Sequence, residues 1–237
     1  MEKTMKKSLS LLAAFLVAGM WSAPVQAADH YVSGMAGISW MQDSEIGLFN
    51  IEDVFDTEVN LGYGSGLTLA GAIGCDYGST RLEAEIGYQS ADIKDISISD
   101  ITVPDSPPYT IPGGSVDLDG DASVLSLMAN GFYDIDLGGG VEFYAMAGVG
   151  VAQVDMEIND VAGVKAYLPD AVDPVAIKVT ETTLAYQVGA GLAIPVSDGV
   201  MIDARYRYFA TTDFDVVGVI DTNVSSHSAL LGLRVNL

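Results

Sequence analysis

The chain has one cysteine, two histidines, two tryptophans and only ten basic residues against 32 acidic ones in 237 residues. A single cysteine, Cys75, excludes an intrachain disulfide and reads as a small apolar residue at a strand end. With only His30 and His227 available, few side chains can act as bases near neutral pH. The formal charge of −22 repels nucleic acid and anionic sugars, so nucleic acid is excluded as a partner. Beyond the N-terminal region no run is apolar over the roughly 20 residues a helix needs to cross a bilayer. Sustained helical periodicity is also missing. Glycine, by contrast, is abundant at 26 residues, without collagen period or linker character.

The N-terminal region is the exception to the general acidity. Lys3, Lys6 and Lys7 precede an apolar stretch from Leu9 to Met20, followed by Pro24 and the triplet Val25-Gln26-Ala27. This order is that of a secretory signal, with cleavage expected after Ala27. No cysteine stands just after that point, so lipid attachment there is excluded. The expected division is a signal peptide over 1–27 and a single domain over 28–237.

Within that domain, alternation of period two recurs and predicts strands over 30–41, 66–76, 80–91, 121–133, 141–154, 180–194, 200–212 and 225–237. Each is near or above the roughly 9–11 residues that a tilted strand needs to span a bilayer. Three connections are short and turn-like: Asp76-Tyr77-Gly78-Ser79, the segment from Asp134 to Gly140, and Pro195 to Gly199. The other four, roughly 42–65, 92–120, 155–179 and 213–224, are long, polar and acidic. Strict alternation of short and long connections predicts an all-β fold, an eight-stranded antiparallel up-and-down transmembrane barrel. Its tight turns would lie in the periplasm and its long loops outside the cell, in the outer membrane.

The strand faces carry the chemistry. Arg81, Glu83 and Glu85 alternate with Leu82, Ala84 and Ile86, and Asp203, Arg205 and Arg207 alternate with Ile202, Ala204 and Tyr206. The last strand sets Leu231, Leu233 and Val235 against Gly232 and Arg234. In a lipid-embedded barrel the apolar face points outward. The candidate site is therefore a lumen ion-pair network of Arg81, Glu83, Glu85, Glu142, Asp203, Arg205, Arg207 and Arg234, structural or gating in role. Its four arginines and four acids make it formally neutral, as a desolvated interior requires. Side chains of the third and seventh strands would meet across it.

Two aromatic girdles are expected: Tyr31, Tyr77, Phe132, Tyr133 and Phe143 near the turns, and Trp40, Tyr88, Tyr208 and Phe209 toward the loops. The acidic loops favour an extracellular cationic or host-surface partner, and outer-membrane lipid and lipopolysaccharide would surround the wall. No cofactor is expected. Asp117-Leu118-Asp119-Gly120-Asp121 fails as a calcium loop because Met128 stands where a glutamate is required. Gly62-Tyr63-Gly64-Ser65-Gly66 lacks the lysine of a phosphate-binding loop and reads as the entry to the second strand. His227 lies at the height where a lipid A hydrolase would work, but Ser226 and Ser228 fall on the opposite strand face. No catalytic residue is assigned.

Several stretches carry a family resemblance. Gly71-Ala-Ile-Gly-Cys-Asp-Tyr-Gly-Ser-Thr-Arg-Leu-Glu-Ala-Glu-Ile-Gly-Tyr, Thr183-Leu-Ala-Tyr-Gln-Val-Gly-Ala-Gly-Leu, Arg205-Tyr-Arg-Tyr-Phe and His227-Ser-Ala-Leu-Leu-Gly-Leu-Arg resemble the opacity and OmpA-like outer-membrane β-barrel superfamily. The similarity is closest to the bacterial surface antigen family, which includes rickettsial major surface proteins. The resemblance implies an eight-stranded barrel with surface-antigen, adhesin or weak porin-like roles and no shared catalytic residues. The chain departs from the family's usual terminal Phe by ending in Leu237. The function expected is that of a structural or adhesin-like surface protein with a nearly closed lumen. The alternatives are a narrow cation-preferring porin and, behind it, a lipid A-modifying hydrolase.

Overall fold

The computed structural model describes residues 29–48, 59–98, 101–103, 109–160, 177–216 and 220–237. The proposed signal peptide lies outside them. Eight strands form the wall: β1 (Asp29–Met41), β2 (Ser65–Asp76), β3 (Thr80–Ile98), β4 (Gly114–Asp136), β5 (Glu142–Asp160), β6 (Ile177–Ser197), β7 (Val200–Thr211) and β8 (Ser225–Asn236). Each pairs antiparallel with its neighbour in sequence, and β1 pairs with β8 from Tyr31↔Asn236 to Met41↔Ser226. The sheet closes on itself, an eight-stranded antiparallel barrel with no edge along its main wall.

Local chemistry explains the three tight turns at one end. Asp76 Oδ1 accepts a hydrogen bond from the Gly78 amide at 2.8 Å, and Asp136 Oδ1 does the same for Gly138 at 2.7 Å. Such side-chain turns suit aspartate followed two residues on by glycine. Gly78, Gly138, Gly139, Gly140 and Gly199 all take positive φ, which a residue with a Cβ adopts reluctantly.

At the other end three strands run far past the sequence boundaries, and a fourth by three residues. β3 continues to Ile98, β4 starts at Gly114, β5 reaches Asp160 and β6 begins at Ile177. Much of what reads as loop over 92–120 and 155–179 is therefore wall. The outward positions there change from apolar to charged and polar, among them Asp92, Lys94, Asp121, Glu157 and Lys178, as suits a wall that stands in water rather than lipid. Charge marks the limit of the lipid, not the limit of the strand. Short strands Ser44–Leu48, Val59–Tyr63, Phe214–Val216 and Ile220–Thr222 extend this wall further, and Ile101–Val103 pairs with Tyr109–Ile111 as a separate hairpin.

Burial separates the two faces. Ile38, Leu69, Ile73, Ile86, Leu125, Val149, Leu231 and Leu233 all stand exposed on the outer surface, a continuous apolar band. Arg81, Glu83, Glu85, Asp203, Arg205, Arg207 and Arg234 are buried inside. This inverts the arrangement of a water-soluble sheet. No helix among the described residues is long and apolar enough to cross a membrane.

Candidate functional site: the lumen and its outer rim

Inward positions follow strand parity, and three layers of side chains fill the barrel. The middle layer centres on Glu85 of β3. Its Oε2 accepts from Arg205 Nη1 at 3.0 Å and its Oε1 from Arg207 Nη1 at 3.2 Å, both arginines reaching across from β7. Glu83 lies one pleat below, 3.9 Å from Arg205 Nη1, and accepts from the Tyr31 hydroxyl at 3.1 Å. Gln187 and Asn130 complete the layer: Gln187 Nε2 donates to Asn130 Oδ1 at 2.7 Å, and Asn130 Nδ2 donates to both glutamates. Arg207 Nη2 donates to Thr68 Oγ1 at 3.0 Å. Each guanidinium here meets oxygens fixed on other strands, so the layer ties together β1, β2, β3, β4, β6 and β7.

The layer nearer the turns joins charge to aromatic faces. Arg81 holds Asp134 with two parallel hydrogen bonds and lies over the rings of Phe132 and Tyr144, at 4.3 and 5.0 Å from their centroids. Arg205 Nε donates to the Tyr144 hydroxyl, which in turn donates to Asp203 Oδ1. Asp203 is thus linked to the arginines through a phenol rather than by direct contact. Arg234 pairs with Glu142 through Nη2 at the floor of the barrel. Tyr31, Tyr144, Phe132, Met146 and Met201 fill the remaining space.

All eight residues singled out in the sequence thus lie on the lumen side. Asp134 is the member that sequence reading misses. Its place beside Gly138-Gly139-Gly140 suggests a turn, whereas β4 continues to Asp136 and turns Asp134 inward, 8 % exposed. Parity with Asn130 and Phe132 was the available signal. With Asp134 counted, carboxylates exceed guanidinium groups by one, so the formal neutrality expected from the sequence does not hold. The excess falls at the floor, where the Glu142 side chain is 28 % exposed and reaches water.

The layer toward the outer end is largely apolar, with Gln89, Ser226, Thr183 and Thr211 as the buried polar side chains in the same register rows. Met41, Ala91, Ile93, Ala122, Val124, Met128, Ala152, Val154, Ala185, Phe209 and Val224 are packed together with Tyr63, which stands just before β2. This ring draws on nearly the whole circumference of the barrel.

Parity also redistributes the aromatic residues. Tyr31, Phe132 and Phe209 point inward and are buried, because each shares its face with lumen residues two positions away. The girdles consist instead of Tyr77, Tyr133 and Phe143 at the turn end, and of Trp40, Tyr88, Tyr186, Tyr206 and Tyr208 toward the outer end. At the outer rim Tyr206 Oη and His227 Nδ1 are 2.6 Å apart, and the imidazole also lies against Tyr208. Ser226 and Ser228 face the lumen. Cys75 is a free, half-buried thiol in the last turnward residues of β2.

Above this rim the acidic wall takes shape. Asp92 of β3 stands in register with Asp121 of β4, and Asp121 with Glu157 of β5. Lys178 of β6 closes the row, its Nζ 3.4 Å from Glu157. Thr180 Oγ1 and Gln153 Nε2 donate to Asp155 and hold its carboxyl below the usual carboxylate range, the Thr180 bond acting most strongly.

The chain is similar in fold to several solved structures of low identity. Neisserial surface protein A shares 17% identity, covering 90% of this chain and 100% of that one, with a TM-score of 0.48. The attachment invasion locus protein Ail of Yersinia pestis, at 17% identity, covers 87% of this chain and 99% of its own, TM-score 0.40. The outer membrane protein OprG from Pseudomonas aeruginosa, at 13% identity, covers 89% and 96%, TM-score 0.43. No curated protein matches the chain. Residues 13–236 match the outer membrane protein beta-barrel domain, and the chain belongs to that family.

Proposed function

We propose that this barrel is a surface-display protein, exported with cleavage after Ala27, whose work is done at its outer end. The observation that carries this reading is the overshoot of β3 to β6, which lifts Asp92, Asp121, Asp155 and Glu157 clear of the apolar band on the outward wall. A cationic or host-surface partner fits this acidic wall, and lipopolysaccharide and lipid pack around the band below. The sequence resemblance to bacterial surface antigens supports the same reading. A narrow cation-preferring pore is the weaker account, since apolar side chains occlude the lumen beneath the acidic wall. Catalysis is not part of the reading: the His227 ring is engaged by Tyr206 and Tyr208, and the adjacent serines face away from it.

The test replaces 99–113 and 161–176 by short Gly-Ser turns, and separately changes Asp92, Asp121 and Glu157 to the corresponding amides. Vesicles carrying each protein are then titrated with polylysine and with host-cell surfaces. Salt-sensitive binding by the wild type that both variants lose is the expected result. Unchanged attachment in both variants would overturn the reading.

A further inference from the structure

Two features of the lumen bear on what keeps it shut. The first is a row of orphaned polar atoms just below the apolar layer. Ser39 of β1 is the cross-strand partner of Ser228 of β8, and Ser228 is the cross-strand partner of Arg207 of β7. All three are fully buried and face the lumen. Ser39 Oγ, Ser228 Oγ and Arg207 Nε find no hydrogen-bond partner among the described residues. One buried polar atom left unpaired costs about 1–3 kcal/mol. Three in adjacent register positions offer one water the two or more polar partners it needs at a site.

The second feature is the layer directly above. Val124 and Val154 are register partners on β4 and β5, each 1 % exposed, and Phe209 from β7 is fully buried in the same cluster. Met41, Ile93 and Met128 belong to the same cluster. None of these side chains can hydrate an ion, and at the same level the Ser226 hydroxyl is spent on Gln89 Oε1; a narrow, largely apolar constriction empties of water even when the spaces beside it are wet. The ion-pair layer differs in kind. Its guanidinium groups and carboxylates can exchange partners with water and ions, so opening one pair leaves a polar passage, not a dry one.

We propose that the outer apolar layer, and not the ion-pair network, is the barrier that keeps this barrel from conducting, with the Ser39–Ser228–Arg207 row as the hydrated pocket beneath it. The proposal rests on the closed-lumen reading given above and assigns its cause. It also separates two jobs the sequence leaves merged: the charged residues tie the strands together, and the apolar ring seals.

The experiment compares currents in potassium chloride across planar bilayers holding the wild type, Glu85→Gln, Phe209→Ser, and a Val124→Thr/Val154→Thr double variant. Heat-modifiable migration on gels establishes that each is folded. Threonine matches valine closely in shape, so the double variant keeps the test alive if Phe209→Ser fails to fold. The wild type and Glu85→Gln are expected to stay silent, while the folded apolar-layer variants conduct at least about tenfold above that background. The proposal is overturned if Glu85→Gln conducts, or if the folded apolar-layer variants stay silent. A conducting wild type would overturn the closed-lumen reading itself, a different outcome from either of these.

Discussion

Arg81 and Asp134 face each other across the β3–β4 pair in a fork of two hydrogen bonds, Nε to Oδ2 at 2.8 Å and Nη2 to Oδ1 at 2.7 Å. Both side chains are almost wholly removed from water. Removing one partner of such a pair strands the other charge, at a cost of about 3–5 kcal/mol. Asp134→Ala is expected to lower stability by that amount in urea titrations of the refolded barrel. Arg81→Lys is expected to lose much of the same stability, since an ammonium keeps the charge but not the planar fork. Wild-type stability in both variants would show that the pair holds nothing together.

Glycine placement is a second point of leverage. A Cβ on Gly191 would collide with the ring and hydroxyl of Tyr144, and one on Gly74 with the ring of Tyr31. Each aromatic passes close by its glycine to reach a carboxylate. Gly191→Ala is expected to cost about 1–3 kcal/mol through overpacking and to shift Tyr144 away from Asp203. On the outer face a Cβ at Gly34 would meet nothing within 4 Å, so Gly34→Ala should change stability by no more than about 0.5 kcal/mol. Equal effects at the two sites would contradict the packing described.

The acidic wall has a pH signature at Asp155, which lies above the apolar band. Its carboxyl is lowered by donation from Thr180 Oγ1 at 2.5 Å and then from Gln153 Nε2 at 3.0 Å. A lowered folded value means the stabilisation is complete above the ordinary carboxylate pKa of about 3.9. It is lost as pH falls through the folded value. Thr180→Val is expected to raise the Asp155 pKa toward normal, read from carboxyl carbon shifts in an NMR titration. The side chain is largely in water, so the stability change should stay below about 1 kcal/mol. An unmoved titration would show that Thr180 is not the cause.

Trp40 is the sole tryptophan after residue 27, and it stands 47 % exposed on the outward face near the outer rim. Interfacial tryptophan sits at headgroup depth. In bilayers of brominated lipids its fluorescence should be quenched most by bromines close to the headgroup and least by those near the acyl chain ends. Strong quenching by iodide in water with none by brominated lipid would place this face in solvent.

Much of this architecture was legible in the sequence because two signals of period two coincide. Arg81-Leu82-Glu83-Ala84-Glu85-Ile86 writes both the strand and its two environments, and Asp-x-Gly at Asp76 and Asp136 writes the turns. Where reading failed, a local feature was allowed to override parity. Glycine neighbours make Asp134 look like a turn residue, and nearness to strand ends makes Tyr31, Phe132 and Phe209 look like girdle residues. Their faces were set by the pleat. The overshoot of β3 to β6 was hidden for a different reason. Lipid and water select different outward residues on one continuous strand, so a change of composition imitates an end. The pairing of Glu85 with both Arg205 and Arg207 was beyond a reading by faces alone, because it depends on the register of strands more than a hundred residues apart.

Inversion of the usual burial rule underlies everything else, and two leucines test it most directly. Leu231 on β8 and Leu137 in the β4–β5 turn are almost equally exposed, at 61 % and 59 %. They differ in depth: Leu231 lies mid-band and Leu137 at the turn end. Folding stability in bilayers would be measured for Leu231→Arg and Leu137→Arg. A lipid-facing wall predicts a loss of about 2–4 kcal/mol for Leu231→Arg and no more than about 1 kcal/mol for Leu137→Arg. Equal and negligible losses at both positions would contradict it, because an exposed leucine in water gives up nothing when it becomes arginine.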